Sequence, residues 1–190
     1  TQTDNAKRPI IVDSNGNLIT ENGKPAINFT GGKQLFMNPL PIISELSSFL
    51  VLTDKDLTNN LVIYTSIDNG TYGGGTNVFG NRSLNGNYQV FQRTSSNYFP
   101  SIASKELNTK LITTKFKANT HLKGKINNQN EMNVSSDQSA FNPNQNFTIG
   151  LVDFQQASTN FNFQELILSF DDLYSDDKAN NNVLNYYGIT

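Results

Sequence analysis

The last thirty residues, Phe161–Thr190 (FNFQELILSFDDLYSDDKANNNVLNYYGIT), constrain the fold of this chain more than any other stretch. Phe161–Phe170 is rich in Phe, Leu and Ile, the residues that suit a half-buried pleated surface. With period-two alternation, Leu166, Leu168 and Phe170 fall on one face and Phe161, Phe163 and Ile167 on the other. A strand apolar on both faces belongs near the middle of a sandwich, covered on both sides. Ser175 follows as the expected N-cap of a short helix, with Asp176 and Asp177 in a first turn where the helix dipole favours negative charge. Val183 and Tyr187, four residues apart, mark its buried stripe with Leu184 beside it, and Gly188 stands where a left-handed C-terminal residue is wanted.

Upstream, short apolar runs alternate with turn signals. Ile10–Val12 precedes Asp13-Ser14-Asn15-Gly16, Ala26–Phe29 runs into Gly31-Gly32, and Phe49–Thr53 and Leu61–Ile67 flank the polar 54–60 stretch. Tyr88–Arg93, Lys110–Lys117, Thr120–Ile126 and Phe147–Val152 follow. This spacing, with no long helical period before residue 175, predicts an antiparallel sandwich instead of alternating βα units. Within Pro41–Leu52, one helical turn is expected between Ile43 and Phe49. No repeat or linker divides the chain, so residues 1–190 read as one domain. That is long enough to bury a proper core.

Lys110–Lys117 and Thr120–Ile126 are expected to pair across Ala118-Asn119. Ile112, Thr114, Phe116, Leu122 and Ile126 then point inward. Lys115, Lys117, His121, Lys123 and Lys125 form a basic ribbon on the other face.

Charge and composition narrow the chemistry. A net charge of −2 argues against a nucleic-acid binder working through a general basic field. The absence of Cys rules out disulfides and thiolate sites, and one His cannot build a His/Cys metal centre. No apolar run approaches 18 residues, so no membrane insertion is expected, and any export signal or anchor would lie outside this sequence.

Both ends of the chain resemble a known family. Arg8-Pro9, then Asn22-Gly23-Lys24-Pro25-Ala26-Ile27-Asn28-Phe29 and Gly31-Gly32, are similar to the opening of laminin-G-like domains of the concanavalin A-like superfamily, found in bacterial surface and phage tail proteins. FTIG at 147–150, Glu165–Leu168, Leu173, Ser175 and Tyr187-Gly188-Ile189 resemble their close. The resemblance implies an all-β, antiparallel two-sheet jelly-roll sandwich (concanavalin A-like) with a short C-terminal helix. The Trp-bearing strand that usually opens such domains would precede Thr1, which suggests a piece of a longer polypeptide.

Catalysis on this fold makes demands that the sequence does not meet. Glycoside hydrolases need two carboxylates facing across a cleft, about 5–5.5 Å apart in a retaining enzyme. Glu165 is the one acid inside a strong strand, and its expected role is a partly buried carboxylate bonded to backbone or a Tyr hydroxyl. Lyases on the fold need an Arg-rich strand and a Gln/His strand, yet only His121 is available. No nucleophile elbow accompanies it.

Binding chemistry is better represented. Sugar recognition wants an aromatic face against a pyranose ring, with planar amides and carboxylates for paired hydroxyls. Asn69, Tyr72, Asn77 and Asn81 gather in one Gly-rich segment, and Asn97 and Tyr98 in a second loop. The resemblance also raises calcium as a candidate cofactor, because laminin-G-like domains often hold one on loop oxygens. Asp68 and Asn69 could supply them, with Asp153 and Asp171 or Asp172 as other candidates, while Asp68-Asn69-Gly70 equally suits a plain turn. The basic face of Lys115, Lys117, Lys123 and Lys125 is a candidate for an anionic glycan. The leading expectation is therefore a non-catalytic binding or adhesion module for glycan or another cell-surface molecule, exported to a cell or virion surface. The alternatives are a structural spacer contacting neighbouring protein chains and, third, a polysaccharide-cleaving enzyme.

Overall fold

A computed structural model describes residues 5–38, 40–57, 61–67, 78–93, 97–98, 100–136, 147–150 and 160–190. In chain order, β1 is Thr20–Glu21, β2 Lys24–Pro25, β3 Ile27–Thr30, β4 Gln34–Met37 and β5 Glu45–Asp54. Then come β6 (Leu61–Ile67), β7 (Val78–Leu84), β8 (Asn87–Arg93), β9 (Asn97–Tyr98) and β10 (Ser101–Ser104). The chain closes with β11 (Thr109–Lys117), β12 (His121–Ile126), β13 (Gln129–Ser135), β14 (Phe147–Gly150), β15 (Asn160–Ser169) and helix α1 (Asp177–Tyr187).

Among the described residues these strands form an all-β sandwich. One sheet runs β13-β12-β11-β5-β15-β3, and the facing sheet runs β10-β8-β7-β6-β14-β4 with β9 added to β8. Pairing is antiparallel throughout, and the β11–β12 hairpin turns at Ala118–Thr120, as its sequence predicts. Leu50, Leu52, Ile112, Phe116 and Leu122 of the first sheet meet Tyr88, Val90 and Ile149 of the second in one inter-sheet core. Phe29 and Phe161 stack with ring centroids 5.0 Å apart. At Gly124 the sheets approach so closely that a Cβ would lie 2.7 Å from Ile102 Cδ1.

The expected helical turn near Ile43–Phe49 is not formed. Glu45–Asp54 is strand, bonded along its length to β11 on one side and β15 on the other. Every side chain from Leu46 to Asp54 is buried, so pairing on two sides overrides any local helical preference.

β15 is an inner strand, but its faces are not those that simple alternation predicts. Phe163 lies opposite Leu52 and Glu165 opposite Val51, so Gln164 is an extra, bulged residue. The bulge switches parity, and Phe161, Phe163, Leu166 and Leu168 all join the inter-sheet core. Ile167 faces outward at 36% exposed, and Phe170, just past the strand, is 45% exposed. The Gln164 amide donates to the carbonyl oxygens of Glu21 (3.1 Å) and Lys24 (3.5 Å), which ties the bulge to the β1–β2 hairpin.

Helix α1 covers the outer face of the first sheet. Tyr187 and Ile189, with Leu173, Ala179, Val183 and Leu184 packed around them, bury Phe49, Val51 and Leu111. Its N-cap is Asp176, not Ser175: one carboxylate oxygen of Asp176 accepts from Lys178 N (2.9 Å) and Ala179 N (3.1 Å). At the other end Gly188 has φ +62°, and Ile189 N donates to Leu184 O, a Schellman close.

Candidate functional site

α1 presents two stripes. Val183 and Tyr187 turn toward the sheet, while Asn182 and Tyr186, also four residues apart, form the rim. With Glu165 of β15 these four residues line a groove of about 420 Å³. Tyr186 is 60% exposed. Its ring meets Tyr187 edge-on at 4.9 Å and 85°, and the Lys24 ammonium stands 4.0 Å from its centroid. Both contacts hold an otherwise solvent-facing aromatic ring in one orientation.

The floor is fixed from below. Burial pushes the Tyr187 hydroxyl well above its ordinary pKa, and the Glu165 carboxylate beside it, which accepts its hydrogen bond, adds to the rise. Glu165 thus has the role its isolated position suggested. Asn22 of the β1–β2 turn donates its amide to Tyr187 O at 3.1 Å, which joins the hairpin carrying Lys24 to the end of the helix. The groove offers a rigid aromatic ring, one free-standing amide and one carboxylate. Among the described residues Glu165 is the only acid lining it, so the facing pair that glycoside hydrolysis requires is not assembled there.

The residues singled out from sequence are distributed differently. Asp68, Asn69, Tyr72, Asn77 and Asp153 lie outside the described residues. Asn97 and Tyr98 form β9, paired to Arg93 and Gln92 of β8. Asn81 is not at a surface. It is buried on β7 opposite Val90, and among the described residues neither amide atom has a hydrogen-bond partner. Among the described residues no three His, Asp or Glu side chains gather as metal ligands.

The four lysines of the ribbon lie on one face, Lys115 and Lys125 buried, Lys123 half-buried and Lys117 exposed, and three of them are ion-paired. Lys115 is buried between Glu45 (2.8 Å) and Asp172 (2.5 Å), Lys117 reaches Glu45 at 3.5 Å, and Lys123 reaches Glu131 at 3.6 Å. Hydrogen bonding to Lys115 holds the Glu45 and Asp172 carboxyls below the usual carboxylate range. Lys125, also buried, lies 4.7 Å from the Tyr174 ring centroid. Burial, helped by Lys123, Lys115 and Lys117, pushes His121 below its ordinary value. The ribbon clamps the 171–174 segment that leads from β15 into α1.

The groove itself was missed in the sequence, although the Tyr186-Tyr187 doublet contains the signal. Once Val183 and Tyr187 are assigned to the buried stripe, Tyr186 must face out, with Asn182 one turn away on the same side.

No protein-family model matches the sequence, and no curated protein matches it. Solved structures match in fold. Botulinum neurotoxin type C, whose cell entry depends on interaction with two ganglioside molecules, aligns with TM-score 0.61 and 13% identity over 95% of this chain and 51% of that one. The botulinum neurotoxin serotype D binding domain aligns with TM-score 0.61 and 14% identity over 93% of this chain and 45% of that one. The chain thus spans about half the length of these neurotoxin structures. The CBM40 module of Ruminococcus gnavus IT-sialidase, bound to α2,3-sialyllactose, aligns with TM-score 0.56 and 14% identity, covering 77% of this chain and 97% of that one. At such identities the likeness is one of fold.

Proposed function

We propose that this chain is a non-catalytic carbohydrate-binding module of concanavalin A-like, laminin-G-like descent, a domain of a larger exported or virion protein that holds glycan at a cell surface. The observation that carries the reading is Tyr186, an exposed ring braced by Lys24 and Tyr187 beside the Asn182 amide and the Glu165 carboxylate. A pyranose stacks its apolar face on such a ring and pairs its hydroxyls with the amide and carboxylate. The fold's likeness to a sialyllactose-bound module supports the same reading. Asn69, Tyr72 and Asn77, together with Asn97 and Tyr98 of β9, are proposed as a second contact zone, with calcium at Asp68 and Asn69.

A glycan array, followed by calorimetry on the best ligand, tests the proposal. Tyr186→Ala is expected to weaken binding about tenfold or more, the equivalent of one lost stacking contact of about 1.4 kcal/mol. Asn133→Ala, on the exposed face of β13, leaves it unchanged. Binding that survives Tyr186→Ala but is lost in Tyr72→Ala moves the site to the loops, and loss with a chelator assigns calcium a part. No glycan bound at all refutes the module.

One observation favours an assembly role instead. Ile10, Ile11, Val12 and Leu18 are all exposed on one arm, bridged to β3 through Ile10 and Asn28. Self-association or capture of a neighbouring chain that disappears when Ile11 and Leu18 are changed to Ser would support that reading.

A further inference from the structure

Asn81 and Ser83 of β7 lie opposite Val90 and Tyr88 of β8, so all four share the inner face of their sheet. Val90 and Tyr88 belong to the inter-sheet core, which places the Asn81 amide and Ser83 hydroxyl inside the sandwich. Asn81, Ser83 and Tyr88 are each 1% exposed, and among the described residues neither amide atom of Asn81, nor Ser83 Oγ, nor the Tyr88 hydroxyl has a hydrogen-bond partner. On the other sheet, Asp54 continues the inner face of β5 beyond Leu50 and Leu52 to a point beside Lys105 and Lys110, and its carboxylate oxygens also lack a hydrogen bond. The Lys105 ammonium pairs with Asp54 at 3.6 Å, and that of Lys110 stands 5.0 Å from the Tyr88 ring centroid.

With one Asp54 oxygen ion-paired to Lys105, five such polar atoms left bare would still cost an amount comparable with the whole stability of a domain, and buried polar groups are in practice satisfied. We propose that this layer is an internal hydration site, holding ordered water between the sheets against Asn81, Ser83, Tyr88 and Asp54. The chemistry selects the ligand. The Lys105 and Lys110 ammoniums oppose a metal cation, and the Asp54 carboxylate opposes an anion. The amide and two hydroxyls both donate and accept, which suits a small neutral molecule that does the same. Water is the smallest such molecule and bridges buried polar groups of this kind in folded proteins. Lys110 also lines a pocket of about 200 Å³ at the end of the sandwich with Ser104, Glu106, Asn108, Asn127 and Gln129, which supplies a route for exchange with solvent.

A high-resolution crystal structure of the whole chain tests this. Ordered water within about 3.2 Å of at least two of the four side chains is expected, and direct pairing among those side chains, or no density between them, overturns the proposal. Ser83→Ala and Tyr88→Phe provide a second readout. Each removes a hydroxyl bonded to water and is expected to lower Tm by about 2–4 °C, whereas an unchanged or raised Tm in both marks the hydroxyls as unpaired and overturns it as well.

Discussion

Asn180 is fully buried in the first turn of α1, at the start of an Asn-Asn-Asn run that is poor helix material. Its carbonyl oxygen accepts from Thr113 Oγ1 at 2.9 Å, and its amide donates to Tyr174 O at 3.2 Å and Asp176 O at 2.9 Å. One side chain thus joins the helix to the central sheet and to the segment before it. Asn180→Ala strands two buried partners, Thr113 Oγ1 and Tyr174 O; Asp176 O keeps its bond from Asn180 N. At about 1–3 kcal/mol for each of the two orphaned groups, less roughly 0.6 kcal/mol of better helix propensity, the net loss is about 1.5–5 kcal/mol. In a chain of this length that lowers Tm by roughly 3–20 °C. Urea unfolding followed by circular dichroism measures the loss, with an unchanged m-value showing that only stability has moved. Thr113→Val added to Asn180→Ala removes one orphan, so the double variant should be more stable than the sum of the single losses, by about 0.5–3 kcal/mol. A loss below about 1 kcal/mol, or strict additivity, would refute the reasoning.

Asp54 should give the stability curve a distinctive pH slope. Burial pushes its carboxyl from 3.8 up to about 6, against the opposing pull of Lys105 and Lys110. The folded state therefore holds a proton that the unfolded chain releases, and this contribution is complete below pH 3.8 and lost as pH rises through 6. Relative to Asp54→Asn, the protein should lose about 3 kcal/mol between pH 3.5 and 7.5; a flat or rising difference in paired denaturant titrations would refute this. Gly124→Ala should cost about 1–3 kcal/mol because the new Cβ meets Ile102 Cδ1 at 2.7 Å. Ile102→Val, which removes that methyl, should restore part of the loss in thermal melts. Asp176→Ala should cost about 1 kcal/mol and Ser175→Ala almost nothing, so calorimetry on the two variants decides which residue caps α1.

Local chemistry was legible. The β11–β12 hairpin, the Gly188 close of α1 and the inward set Ile112, Phe116, Leu122 and Ile126 all follow from neighbouring residues and period-two alternation. Features set by distant partners were not. Glu45–Asp54 became a strand buried from Leu46 onward because β11 and β15 claim both of its edges. Lysines expected to face solvent became a clamp because Asp172, reached only after the chain has crossed β15, arrives beside Lys115. Asn81 carried the right residue type for a sugar contact, but β7 turns it inward, a matter of register that its own loop does not encode.

The groove shows how far one such tertiary choice propagates. With unbroken alternation after Phe161 and Phe163, Glu165 would point into the inter-sheet core, and Leu166 and Leu168 would face the helix. A carboxylate there would need a buried partner, and the core would lose two apolar side chains. The bulge at Gln164 reverses both outcomes, sending Leu166 and Leu168 inward and Glu165 out beneath Tyr187. Gln164 is held in that position by the backbone of the same β1–β2 hairpin that places Lys24 on Tyr186. One extra residue in β15 thus sets the core packing and the aromatic–carboxylate groove together, and weakening its anchor should disturb both. The sequence around Gln164 carries no sign of this, because the groups that demand the bulge lie some 140 residues earlier in the chain.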